Sequence, residues 1–163
     1  MTNNDCLRRI RDILNLDDTA LIRIYSLVDQ QVIQEEINNL LKKDDADDFN
    51  ECTDILFTAF LNGLIIEKRG AKEGAKPPAE ERLTNNIIFK KLRIAFDLKA
   101  EDILSLLSLA DLDCKISKHE LSAFFRKPES GHFRACKDHV LENFLDGLQI
   151  KHGTQPIEGA EAI

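Results

Sequence analysis

Apolar residues recur at spacings of three and four from the start of the chain. Cys6, Leu7, Ile10, Ile13 and Leu14 share one helical face. Leu16-Asp17-Asp18-Thr19 restarts the chain with an Asp or Thr available as a cap. Leu21, Ile22, Ile24, Tyr25, Leu27 and Val28 then predict a second, more buried helix. A short third helix is expected from about Ile33 to Lys43, carrying Ile37, Leu40 and Leu41. A polar loop runs through Lys42 to Asp48. A fourth helix starts near Cys52, with Cys52, Ile55, Leu56, Ala59, Phe60 and Leu64 on one face.

From Gly70 to Leu83 the chain has two Gly, two Pro and many charges, a composition that reads as a linker. Beyond it the pattern returns. The segment from Asn85 to Arg93 answers that from Asn3 to Arg11, Leu98 answers Leu16, and Ser108-Leu109 answers Ser26-Leu27. Cys136 answers Cys52, and Phe144-Leu145-Asp146-Gly147-Leu148 answers Phe60-Leu61-Asn62-Gly63-Leu64. The expected fold is therefore all-α, a tandem duplication of a small four-helix unit packed with pseudo-two-fold symmetry. The first repeat is read at 1–69, a flexible linker at 70–83, the second repeat at 84–152 and a frayed tail at 153–163. In the second copy Ser117 to Glu120 reads as a capping box; the first copy has Ile33 where Ser117 stands. Gly63 and Gly147 sit mid-helix or near a helix end, which fits either a close helix crossing or a left-handed C-cap.

Composition narrows the function classes. The net charge of −7 is unlike the basic footprint of a dedicated nucleic-acid binder. No apolar run approaches a membrane span, and the start lacks a signal-peptide pattern, so a cytoplasmic protein is expected. Cys6, Cys52, Cys114 and Cys136 form no CxxC pair, and His119, His132, His139 and His152 form no HxxxH. No metal or cofactor is expected. The run Asp44 to Asp48 lacks the Gly and terminal Glu of an EF-hand.

Basic residues recur in both copies: Arg8, Arg9 and Arg11 match Lys90, Lys91 and Arg93, and Lys42 and Lys43 match Arg126 and Lys127. Lys68 and Arg69 end the fourth helix. Positive charge at equivalent places suggests anion or partner binding through Arg8, Arg9, Lys68, Arg69, Lys90, Lys91, Arg126 and Lys127. The competing account is a solvated face with acids nearby. Arg11 and Arg93, at the edge of the apolar face, are expected to brace each unit by ion pairs with aspartates that recur, Asp29/Asp111 and Asp54/Asp138. The segment from Glu101 to Lys127 has the outline of a helix-turn-helix, but Ala123, Phe124 and Phe125 make its second helix more apolar than a groove reader needs.

The segments Asn85 to Phe96, Phe60 to Gly70 and Phe133 to Asp138 resemble the YehS-like bacterial family, a duplicated domain of unknown function. The resemblance implies two copies of that domain in a bacterial cytosolic protein, and no activity, cofactor or catalytic residue. The expected function is a non-enzymatic macromolecular binding or adaptor module with an unidentified protein partner. A nucleic-acid-associated regulator is the alternative, and an enzyme with an unrecognised site between the repeats comes third. Self-association is left open.

Overall fold

The computed structural model describes residues 1–71 and 82–153. Residues 72–81 of the expected linker at 70–83 and 154–163 of the expected tail at 153–163 lie outside the described residues. Among the described residues the chain forms eight helices and no strand. They are α1 (Asn3–Leu14), α2 (Asp18–Ser26), α3 (Gln34–Leu41), α4 (Asp54–Arg69), α5 (Asn85–Ala95), α6 (Ala100–Ala110), α7 (Lys118–Phe124) and α8 (Asp138–His152).

Local chemistry sets where these helices begin. Thr2 and Asp5 exchange backbone-to-side-chain hydrogen bonds of 3.0 and 3.1 Å, a capping box for α1. Asp17 accepts the Ala20 N–H at 2.7 Å to start α2, and Thr53 and Thr84 cap α4 and α5. Ser117 accepts the Glu120 N–H at 3.0 Å, but the Glu120 carboxylate takes the Ser117 hydroxyl at 3.3 Å rather than its backbone N–H. Ile33 has no side-chain oxygen, so α3 keeps only the Glu36 carboxylate on the Ile33 N–H, at 3.4 Å. The ends of α1 and α5 match: Asn15 and Asp97 both turn left-handed, with φ 51° and 53°. Their short polar side chains tolerate that conformation.

One continuous core runs through both repeats. Tyr25, Phe57 and Phe60 from the first repeat and Phe89 and Phe144 from the second are its largest fully buried side chains. The connectivity of the packing interlocks the repeats. α4 packs on α2 of its own repeat and lies more extensively on α5 of the other than on α1. In the symmetric arrangement α8 packs on α6 and on α1. A unit of about 70 residues buries too little alone to be secure, and this exchange of closing helices lets each repeat complete the other.

Two pairs of equivalent residues hold the geometry. Gly63 and Gly147 lie inside α4 and α8, which settles the crossing over the C-cap. A methyl on Gly63 would stand 2.9 Å from Ile24 Cγ2 and closer still to the Ile24 carbonyl oxygen. On Gly147 it would stand 2.7 Å from the Leu106 carbonyl carbon and closer to its oxygen. Ile24 and Leu106 are themselves equivalent, so the same backbone-to-backbone approach occurs in each repeat.

The second pair is the asparagine dyad opening α1 and α5. Asn4 donates to the Leu40 carbonyl at 3.0 Å and the Asn50 carbonyl at 2.9 Å, and accepts the Cys52 N–H at 2.9 Å. Asn86 repeats this with the Phe124 carbonyl, the Arg134 carbonyl and the Cys136 N–H, at 2.9, 2.8 and 2.9 Å. Both amides are buried and satisfied. Each clasps the end of the short third helix and the loop entering the fourth.

Candidate functional site

The bracing ion pairs expected of Arg11, Arg93, Asp29, Asp54, Asp111 and Asp138 take another form. Asp54 receives the Asn3 amide at 2.7 Å and the Leu83 N–H at 2.9 Å. Asp138 receives the Asn85 amide at 2.7 Å and lies 3.7 Å from the N-terminal ammonium. These bonds hold both carboxyls below the usual range, with Leu83 the larger cause for Asp54 and Asn85 for Asp138. Arg11 stands about 12 Å along α1 from Asn3, too far down the helix to serve Asp54. It pairs with Asp12 at 3.1 Å. Arg93 donates to the Leu98 carbonyl at 3.2 Å and covers the Phe125 ring at 4.8 Å. Asp111 takes the Asp113 N–H at 2.9 Å, and Asp29 follows α2 with φ 60°.

The basic positions proposed for binding separate into two groups. In the first repeat Arg8 pairs with Asp5, and it also donates to the Lys42 carbonyl at 3.2 Å. Arg9 reaches across the repeat interface to Asp146 at 2.5 Å. Lys42 pairs with Asp48. A cleft of about 860 Å³ opens over this face, and its basic residues Arg8, Arg9 and Lys43 are interleaved with Asp5, Asp12 and Asp44. The reading of a solvated face with acids nearby describes this side.

The second repeat is different. Lys91 reaches Asn62 at 2.7 Å, the neutral counterpart of the Arg9–Asp146 pair. Lys90, Arg126 and Lys127 are exposed. Ile87 and Ile94 stand where the first repeat has Asp5 and Asp12, and Pro128 and Glu129 where it has Asp44 and Asp45. Within α5 no acid accompanies these cations. Sequence reasoning matched the bases of the two copies. Matching their acids as well would have exposed this asymmetry.

Lys68 and Arg69 belong to a third place, the junction where α1, α4, α5 and α8 end. A cleft of about 680 Å³ there is lined by Ile13, Leu14, Phe96, Lys68, Arg69 and His152. Lys68 lies 4.8 Å from the Phe96 ring centre, the His152 ring is 6.1 Å from it, and Arg69 pairs with Asp97 at 3.0 Å. Burial, then the charges of Lys151 and Lys68, push the His152 pKa below its ordinary value. The basic residues suit the negative ends of four helices, and they are engaged with partners across the repeat boundary.

The remaining chemistry is quiet. Burial pushes the thiols of Cys6, Cys52 and Cys136 up to about 12, so they stay protonated and are poor nucleophiles at neutral pH. Tyr25 is wholly buried beside Cys52, and its hydroxyl finds no well-placed acceptor. Within the helix-turn-helix outline, α7 turns Leu121, Ala123 and Phe124 into the core. Among the described residues no three His, Cys, Asp or Glu side chains are grouped as a metal set, and no helix is long and apolar enough to cross a membrane.

The relatives agree with the duplicated architecture. No solved structure matches the chain. It is 44% identical over 154 residues to the "Uncharacterized protein YehS" of Escherichia coli (strain K12), covering 93% of this chain and 96% of that one. The family model described as "Protein of unknown function (DUF1456)" matches twice, at residues 3–70 and 85–153. Two matches in series, one over each four-helix repeat, establish that the chain belongs to this family.

Proposed function

We propose that the chain is a non-enzymatic macromolecular binding module whose contact face is the solvent side of α5 together with the end of α7. One observation carries this reading. Equivalent basic residues are neutralised in the first repeat by Asp5, Asp12 and Asp146, and face Ile87, Ile94 and Asn62 in the second. Holding Lys90, Arg126 and Lys127 at the surface, with Glu129 the one acid directly following them in sequence, costs self-repulsion, which an anionic partner would relieve. A nucleic-acid backbone is the second reading, favoured by the exposure of Lys90, Arg126 and Lys127.

Retention on a sulfonated or heparin resin at low salt tests the face. A chain of net −7 with evenly spread charge would pass through. The expected result is retention, lost in the Lys90→Glu/Lys127→Glu variant and kept in the first-repeat variant Arg8→Glu/Lys43→Glu. Passage of the unaltered protein, or equal loss in both variants, would sink the proposal. Fluorescence anisotropy with labelled DNA and RNA from low to physiological salt decides the second reading, its salt slope reporting the phosphates engaged.

A further inference from the structure

On α5 the residues facing solvent are Ile87, Lys90 and Ile94, in steps of three and four, with Lys91 and Arg93 on either flank. Ile94 is 40% exposed and Ile87 half-buried. Both are β-branched apolar residues on the wet side of a helix that needs neither for its core, because Ile88, Phe89, Leu92 and Ala95 supply that. The first repeat places Asp5 and Asp12 at these positions and uses both as ion-pair partners. Solvent-facing isoleucines at two equivalent sites, around one lysine, are therefore a departure from the ground plan of the repeat.

The face continues onto the end of α7. The Arg93 guanidinium over Phe125, and the Phe89–Phe125 edge contact at 5.2 Å, bring Phe125 against α5. Arg126 and Lys127 follow it at the surface. The result is an apolar line bordered by cations on both sides.

Resting on the binding face proposed above, we infer that its partner is an acidic amphipathic helix of another protein, laid along α5. Ile87 and Ile94 are two turns apart, about 10.5 Å along the axis. A partner helix with apolar side chains at i, i+3 and i+7 presents them at that spacing, and carboxylates beside them meet the exposed Lys90, Arg126 and Lys127. Steric fit comes from the isoleucines and orientation from the charges. A nucleic-acid backbone gives the isoleucines no role. An anionic bilayer would meet a chain whose net charge of −7 opposes it.

Anisotropy with four labelled probes tests the inference on the full chain. The probes are a helical peptide of Glu with Leu at i, i+3 and i+7, its scrambled-order version, polyglutamate of equal length, and a single-stranded DNA oligomer. The amphipathic peptide is expected to bind at least tenfold more tightly than the scramble or polyglutamate. Ile94→Ser is expected to weaken it at least threefold, Ile87→Ser/Ile94→Ser tenfold, and Lys90→Glu to abolish it. Unchanged far-UV circular dichroism and melting identify folded variants; the exposed Ile94→Ser carries the test alone if Ile87→Ser disturbs folding. Loss with Lys90→Glu and none with Ile94→Ser overturns the helix partner and leaves the cationic face standing. Indifference to all three overturns both. DNA binding tighter than the peptide assigns the face to nucleic acid, and self-association dispersed by Ile94→Ser assigns it to a second copy; either result overturns the inference.

Discussion

Where α1 carries Asp5, Arg8 and Asp12 in line along its solvent side, α5 carries Ile87, Lys90 and Ile94. Inside, the contrast reverses. The first repeat buries Cys6 and the Tyr25 hydroxyl where the second has Ile88 and Leu107. Between these layers the repeats agree: Asn3 with Asn85, Asn4 with Asn86, Asp54 with Asp138, Gly63 with Gly147. The shared positions are those at which backbone geometry leaves no substitute. They satisfy buried carbonyls, tie down the fourth helix, or let two backbones touch. The divergent positions are free of that duty, so their chemistry reports on what each repeat does besides folding.

The sharpest way to break this division is to add one methyl group. Gly147→Ala forces α8 off the Leu106 carbonyl, and no side-chain movement relieves it. We expect a loss of about 3 kcal/mol or more, despite the better helix propensity of Ala, lowering Tm by roughly 6–12 °C. Gly63→Ala should cost somewhat less, because one of its three close neighbours is the movable Ile24 Cγ2. A Tm within 2 °C of the parent for both would mean the crossings are looser than they stand. Next, Asn4→Ala removes three hydrogen bonds and strands the Leu40 carbonyl and the Cys52 N–H. A cost of about 2–3 kcal/mol is expected in urea unfolding. Asn86→Ala should cost less, since Asn86 is 8% exposed against 2% for Asn4 and water can enter sooner.

Much of this was legible before the structure. Periodicity located the helices, and the answering order of Phe60 to Leu64 and Phe144 to Leu148 showed the duplication. The repeated glycine fits a crossing or a cap in sequence, and choosing between them requires knowing that Ile24 and Leu106 lie opposite. The asparagine clasps were visible only as a repeat. Their hydrogen bonds span dozens of residues, and no local pattern encodes them. The expected Arg11 and Arg93 braces to Asp54 and Asp138 are replaced for the same reason. Residue types suggest a pair, but helix length and register decide who reaches whom, and Asn3 and Asn85 stand beside Asp54 and Asp138.

The surface difference can be tested by erasing it. Asp5→Ile/Asp12→Ile gives α1 the solvent line of α5. If that line makes the binding face, the acidic amphipathic peptide should titrate at two sites per chain instead of one, with at least tenfold stronger binding to the first repeat. The change also deletes the Thr2–Asp5 capping box, at about 1 kcal/mol. A stoichiometry still at one in a folded variant would mean the line alone does not suffice. The interior difference is erased by Tyr25→Phe. Removing a buried hydroxyl without a well-placed acceptor should leave stability unchanged or raise it by up to about 1 kcal/mol in thermal unfolding. A loss above 1 kcal/mol would show that the hydroxyl has a strong partner after all.

The smallest effect expected is in acid. Asp5 and Asp54 in the first repeat and Asp138 in the second have folded pKa values below 3.8, their value when unconstrained. For a lowered carboxyl the stability is fully present above the unfolded value and is lost as pH falls through the folded one. Acid should therefore weaken the protein below about pH 4, and two of these three carboxylates belong to the first repeat. Asp54 is held mainly by the Leu83 N–H and then by Asn3; Asp138, exposed, depends first on Asn85 and then on the charge of the N-terminus. Salt screens the charge and hardly touches the hydrogen bonds. Melting curves between pH 5 and 2 should thus flatten more for Asp54→Asn than for Asp138→Asn, and added salt should narrow the Asp138 contribution more, because the charge of Arg82 is the smallest influence on Asp54. Equal flattening, with the same response to salt, would show that the two helix starts are held alike, and that the backbone bond from Leu83 adds nothing the second repeat lacks.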